Sequence, residues 1–186
     1  MEPNSSYPEI HTAAAVLQMG MKGRVCDIGC GPMVVARYLA LQATRYVAID
    51  IDPMPPLRGV EFHQTEDMHL LTLPEQFDFM FAMSLLIHLD EFHLDACFDF
   101  VHRHLAPDGV FMAYYWEGLR ARLEDWKRFP FWQRPLSDYR AVGQQHGLMV
   151  TDAGCYLDYG GSVRARPSWS DSYIRKHARV LKGTLE

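Results

Sequence analysis

The apolar run Val25-Cys26-Asp27-Ile28 stops at Gly29-Cys30-Gly31-Pro32, and a helical pattern resumes at Val34-Val35-Ala36-Arg37-Tyr38-Leu39. A second apolar run, Tyr46-Val47-Ala48-Ile49, then ends in Asp50, followed by Ile51 and Asp52. This alternation specifies a strand, a glycine turn, a helix and a second strand. Asp50 lies 21 residues beyond Gly29. At that spacing a carboxylate at the end of the second strand reaches the hydroxyls of a ribose held over the turn. The unit therefore suits a cofactor that carries a nucleoside, and the turn alone leaves open which one.

The 186 residues are enough for one domain with a substantial core, expected to span 1–186. Hydrophobic residues make up 48% of the chain, yet no stretch approaches the run of about 18 apolar residues that a membrane span needs. Residues 1–6 lack the basic and apolar regions of an export leader, so a cytoplasmic location is expected. The four cysteines fit that location. Cys26 and Cys30 are separated by three residues, not the two of a zinc or redox pair, and Cys97 and Cys155 sit singly in apolar patterns. Charge divides unevenly, with five Lys/Arg against fourteen Asp/Glu in residues 1–100 and thirteen against nine in 101–186. The split suits a cationic ligand on the first half and an anionic one on the second, or is simply solvated surface. No basic cluster is dense enough for a nucleic-acid site.

The remaining pattern predicts a helix over 9–19, strands over 23–28, 45–50, 59–63, 77–83 and 110–115, and helices over 33–41 and 90–105. Ala106-Pro107-Asp108-Gly109 reads as a turn. A helix over 136–147 with Ser137 as its cap precedes a strand over 148–156. For the last segment, a strand over 179–184 competes with a helix over 170–181. Strands alternating with helices imply an α/β fold, a doubly wound and mostly parallel sheet of about seven strands with helices on both faces. Its ligand belongs at the carboxyl ends of the strands.

Two residues discriminate among cofactors. A dinucleotide turn needs a third glycine, where this chain has Val34, and Asp27 would bring a negative charge toward a phosphate. S-adenosylmethionine carries no phosphate but does carry a sulfonium and an ammonium, for which Asp27 is favourable. Here Asp27-Ile28-Gly29-Cys30-Gly31 resembles the first motif of the class I S-adenosylmethionine-dependent methyltransferases, in their compact type 11 or type 23 form. Phe77-Asp78 running into Ser84-Leu85-Leu86-Ile87-His88-Leu89 resembles their fourth-strand motif. Leu105-Ala106-Pro107-Asp108-Gly109-Val110 resembles the turn before their fifth strand, and the helix followed by Gly147-Leu148-Met149-Val150 their last unit. The likeness spans residues 20–157.

The resemblance implies roles residue by residue. Asp27, Gly29, Cys30 and Gly31 would cradle the methionine side, and Asp50 and Ile51 would hold the ribose. Asp67 and Met68 would meet the adenine, with Glu66 the alternative acid. Ala82 and Met83 would offer backbone groups to the ammonium. The family's helix after the second strand is missing, because Pro53, Pro55 and Pro56 exclude it. His88, just past the fourth strand, is the candidate general base, although a histidine also occurs there in the family for structural reasons.

Acceptor selection is expected from segments above the strand ends. These are residues 1–20 with Tyr7 and His11, the strand exit Tyr114-Tyr115-Trp116, and a lid over 116–140 that includes Trp126, Phe129, Phe131 and Trp132. The aromatic, partly basic lid suggests a flat or anionic small molecule, or else it packs against the domain or a second subunit of a homodimer. No metal site is expected, since His88 and His93, and His102 and His104, do not share helix faces. The function expected is direct methyl transfer to an oxygen, nitrogen or carbon of a small molecule. An RNA or protein methyltransferase, a non-catalytic binding module and a nicotinamide-dependent oxidoreductase are the alternatives.

Overall fold

The computed structural model of the chain describes residues 8–33, 35–122, 129–161 and 170–186. In chain order the strands are β1 (Arg24–Ile28), β2 (Arg45–Asp50), β3 (Glu61–Gln64), β4 (Phe77–Ala82), β5 (Leu105–Trp116), β6 (Ala121–Arg122), β7 (Trp132–Gln133), β8 (Leu148–Cys155) and β9 (Ala178–Leu185). The helices are α1 (Pro8–Gln18), α2 (Ala36–Leu39), α3 (Glu91–His104), α4 (Leu136–Gln145) and α5 (Asp171–His177). Seven strands form one sheet in the order β3-β2-β1-β4-β5-β9-β8, while β6 and β7 make a separate ribbon. The five strands from β3 to β5 run parallel, and β9 inserts antiparallel between β5 and β8. The doubly wound, mostly parallel sheet expected from the alternation is present.

Side chains leave each strand alternately, so each face of the sheet builds its own core. Cys26, Val47, Met80, Phe111 and Tyr115 meet α3 and α4 through Cys97, Phe98, Val101 and Tyr139. On the other face, Val25, Tyr46, Phe79, Phe81 and Trp116 meet α1, α2 and α5 through Val16, Leu39 and Ile174. Asp27 belongs by parity to this second face and is buried there. Among the described residues no helix is long and apolar enough to cross a membrane.

The differences from the sequence reading have local causes. The helix expected from 33 is only α2 and a 3₁₀ turn at Ala40–Gln42, because Met33 adopts a left-handed φ of 55° that no α-helix contains. The turn at 106–109 lies inside β5 as an excursion from the ladder, where pairing jumps from Phe77–Leu105 to Phe79–Val110. Ser137 does not cap α4. Pro135 occupies that position, and the first-turn Leu136 N–H donates instead to the Glu117 carboxylate (3.1 Å). Both readings of the last segment hold in part, since α5 is capped by Ser170 and runs directly into β9.

Candidate functional site

A cavity of about 780 Å³ opens at the carboxyl ends of β1, β2 and β4, where a sheet of this topology receives its ligand. Its floor is the glycine turn. Gly29 and Gly31 have φ of 72° and 52°, the left-handed region that favours glycine. A Cβ on Gly31 would meet nothing within 4 Å, so the turn leaves open space above its backbone, whereas a Cβ on Gly29 would strike Leu85 at 2.9 Å. Two non-glycine residues, the buried Met33 just after the turn and Ser84 on the cavity wall, share the left-handed conformation at φ of 55° and 62°. Strain of that kind, on the order of 1–3 kcal/mol per residue, gathers at binding sites.

Asp50 ends β2 beside this turn. Its Oδ2 accepts from Gly31 N (2.7 Å) and its Oδ1 from Asp52 N (3.0 Å), so the carboxylate fixes the turn from across the strand. A carboxylate has about four lone-pair sites, which leaves acceptor capacity on both oxygens for two hydroxyls. Asp27 is 3% exposed and accepts from the Tyr46 hydroxyl (2.8 Å). Burial raises its pKa to about 7, against the pull of that hydrogen bond and helped by the nearby Asp50 charge. An acid held up in this way binds its proton more tightly folded than unfolded, so the ligand-free protein loses stability as pH climbs from about 4 through 7. Asp27→Asn keeps the acceptor for Tyr46 and should remove that slope. Above neutral pH the variant is expected to be more stable in chemical denaturation, by on the order of 3 kcal/mol, and an unchanged slope would show that Asp27 is ionised without a ligand.

The wall of the cavity that follows β3 is held from behind by α3. Arg103 donates to the carbonyls of Met68 (2.8 Å) and Leu71 (2.9 Å), and its Nε donates to Asp99 (2.8 Å). The buried ring of His104 accepts from Leu73 N (3.0 Å) and donates to the Phe100 carbonyl (2.9 Å). Thr65, Glu66 and Met68 line the cavity from this wall, with Ile51 and Met54 beside them.

At the far end the cavity reaches His88, Asp90, His93, Phe129 and Pro130. His88 Nδ1 lies 2.7 Å from the Pro130 carbonyl. A carbonyl only accepts, so Nδ1 carries the hydrogen and Nε2 keeps its lone pair. Burial lowers the pKa of His88, with the Pro130 bond acting the other way, which keeps the ring neutral near physiological pH. Five carboxylates line the whole cavity (Asp27, Asp50, Asp52, Glu66 and Asp90), and no Lys or Arg does among the described residues.

This wall is hostile to a pyrophosphate and receptive to a cation. Residues 8–149 match the family model described as a methyltransferase domain. The chain belongs to that family. Its methyl donor is S-adenosylmethionine. Among solved structures the methyltransferase is similar to 1,6-didemethyltoxoflavin-N1-methyltransferase of Burkholderia thailandensis with bound 1,6-didemethyltoxoflavin and S-adenosylhomocysteine (16% identity, 97% of this chain and 80% of that one, TM-score 0.68). It is also similar to a TehB-like S-adenosylmethionine-dependent methyltransferase of Corynebacterium glutamicum (19%, 99% and 90%, 0.67) and to the DhpI–SAH complex (17%, 97% and 88%, 0.64). At these identities the likeness is one of fold. No protein of curated function matches the chain in sequence.

The geometry sorts the residues read from the sequence of this methyltransferase. Asp27, Gly29, Cys30, Gly31, Asp50, Ile51, Met68, Met83 and His88 all line the cavity. Asp67 does not, because its carboxylate closes a turn onto His69 N (2.9 Å) and the lining acid is Glu66. Ala82 is sealed in β4 opposite Ala113, and the chain reaches the cavity at Phe81 and Met83.

The acceptor assignments need more correction. Tyr114, Tyr115 and Trp116 are core residues, packed on Tyr156, Tyr139 and His177. His11 is exposed on α1, and Thr12 faces the cavity instead. Trp132 lies outside the lining with the Arg134 guanidinium over its ring (4.8 Å). Arg134 itself is 1% exposed and donates to the Leu89 carbonyl (2.7 Å), so it offers no charge to a ligand. Tyr7, Val34 and Trp126 lie outside the described residues. Sequence reasoning missed Ser84, Leu89, Asp90 and His93 as lining. A serine directly after an apolar strand was the one available signal.

Proposed function

We propose that this methyltransferase acts on a small molecule by direct displacement, with the acceptor in the outer half of the cavity beside Phe129 and Pro130. The observation that carries the reading is a single continuous cavity, open to one side. It runs from the glycine turn and Asp50 to His88, is large enough for cofactor and a small acceptor together, and among the described residues its formally charged lining is acidic only. Phosphate-rich acceptors such as RNA fit such a wall poorly. The four free cysteines, all buried, suit work in the cytoplasm.

Asp50 and Ile51 would hold the ribose, Glu66 and Met68 the adenine, and the strand end at Met83 with Asp27 the methionine portion. Bound S-adenosylmethionine supplies an electrophilic methyl carbon on a sulfonium that leaves as a neutral thioether. The protein's part is chiefly to hold the acceptor in line and to exclude water, a service that can reach about 7–11 kcal/mol. Leu85, Leu89, Phe129 and Pro130 supply the dry wall. His88, its Nδ1–H held by Pro130, presents Nε2 to take the acceptor's proton.

Thermal unfolding tests the cofactor assignment. S-adenosylhomocysteine at about one hundred times its Kd stabilises the folded state by roughly 2.7 kcal/mol, a rise of about 5–10 °C in a domain of this size. NAD at the same concentration should leave the melting temperature unchanged. A rise with NAD and none with S-adenosylhomocysteine would reverse the reading.

A further inference from the structure

Once Asp27, Asp50, Glu66 and Met68 are assigned to the cofactor, part of the cavity is left over. Its walls are His88, Leu89, Asp90 and His93 on one side and Phe129 and Pro130 on the other. Arg134 is buried, its guanidinium over the Trp132 ring and donating to the Leu89 carbonyl, and no Lys or Arg among the described residues lines the space.

The amino end of α3 also faces this space and would ordinarily welcome an anion. Here its amides are already served. Asp90 caps the helix, accepting from His93 N (3.0 Å) and pairing with His93 Nδ1 (2.7 Å), and Glu91 follows in the first turn. Burial works against the Asp90 charge, but the bonds from His93 outweigh it and hold the carboxyl below its usual range. Asp90 is therefore ionised at any working pH. The Phe129 ring, 5.8 Å from that of His88, adds an aromatic face of the kind that attracts cations.

We propose that this outer chamber binds a protonated amine carried on an apolar or aromatic body, and that the methyl acceptor is its nitrogen. The inference rests on the cofactor reading given above. Asp90 and the Phe129 face would receive the ammonium. His88 Nε2 would take one proton from it, and the freed nitrogen lone pair forms the new N–C bond as the methyl–sulfur bond breaks, its electron pair leaving on sulfur. His88 then returns the proton to solvent. Of the flat or anionic acceptor expected from the lid sequence, the anionic reading is thereby set aside.

Calorimetry on the full chain saturated with S-adenosylhomocysteine tests this with benzylamine, benzyl alcohol and benzoate at near-neutral pH and low salt. Benzylamine should bind about tenfold more tightly than benzyl alcohol, and benzoate more weakly than either. Asp90→Asn preserves the helix cap. It should bring benzylamine down to the level of the alcohol while S-adenosylhomocysteine affinity and melting temperature stay as they were. Benzoate binding as well as benzylamine, no benzylamine binding at millimolar concentration, or benzylamine unaffected by Asp90→Asn would overturn the inference. The ranking in the unmodified chain decides alone if the variant fails to fold. Failure of S-adenosylhomocysteine to bind at the outset would instead sink the cofactor reading and take this inference with it.

Discussion

His88→Ala is expected to lower kcat by about 10²–10⁴-fold, the usual contribution of a positioned general base. It should also remove the limb of the pH profile on which activity falls toward acid. The sign follows from the ring's surroundings. Burial lowers the His88 pKa below its ordinary value near 6.5, so the neutral form that can take a proton persists at mildly acidic pH and is lost only below that. KM for the cofactor should hardly change, because His88 lies at the proposed acceptor end and the Pro130 bond ties it to that segment and not to the glycine turn. A kcat within a few-fold of normal across the pH range, with the acceptor in hand, would leave His88 a wall residue that orders the lid through Pro130 and nothing more.

Asp50→Ala should weaken S-adenosylhomocysteine binding by about tenfold to a hundredfold in calorimetry, since each hydrogen bond to a charged group contributes roughly 1.5–3 kcal/mol. Two losses combine in that figure. The ribose hydroxyls lose their acceptor, and Gly31 N and Asp52 N lose theirs, so the turn itself slackens. Asp50→Glu separates them. The longer side chain keeps the charge but displaces it from the Gly31 amide, and it should recover little of the affinity if placement matters more than charge. Full affinity in the alanine variant would remove Asp50 from the ribose.

The residues that line the cavity around the glycine turn were legible in advance because they are built from short-range geometry. The interval from Gly29 to Asp50 is one strand, one turn and one helix long, and sheet parity does the rest. Even there, reading stopped at contacts across the sheet. Tyr46 as the partner of Asp27 depends on β2 pairing with β1 in a register that places both side chains on one face. Asp67 illustrates a different ambiguity. An aspartate after a strand either meets a ligand or closes its own turn, and the second use consumed it, leaving Glu66 on the cavity.

The acceptor half depended on long-range closure and was mostly misread. Tyr114-Tyr115-Trp116 has the look of a strand running out over a ligand. The chain then returns through α5 and β9, His177 stacks on Trp116, and the aromatic exit becomes core. His88 meets Pro130 across 42 residues, and Arg134 reaches Leu89 across 45. Neither contact has any trace in local periodicity. Arg134, within the 116–140 segment expected to be a lid, is instead buried and donates to the Leu89 carbonyl in the His88–Asp90 segment.

A crystal structure of the full chain with S-adenosylhomocysteine tests the central claim most directly. Both ribose hydroxyls should lie within hydrogen-bond reach of the Asp50 carboxylate, the adenine should pack against Ile51 and Met68 with Glu66 at its edge, and the sulfur should face His88. A ligand whose ribose lies away from Asp50, or whose sulfur is turned from His88, would contradict it.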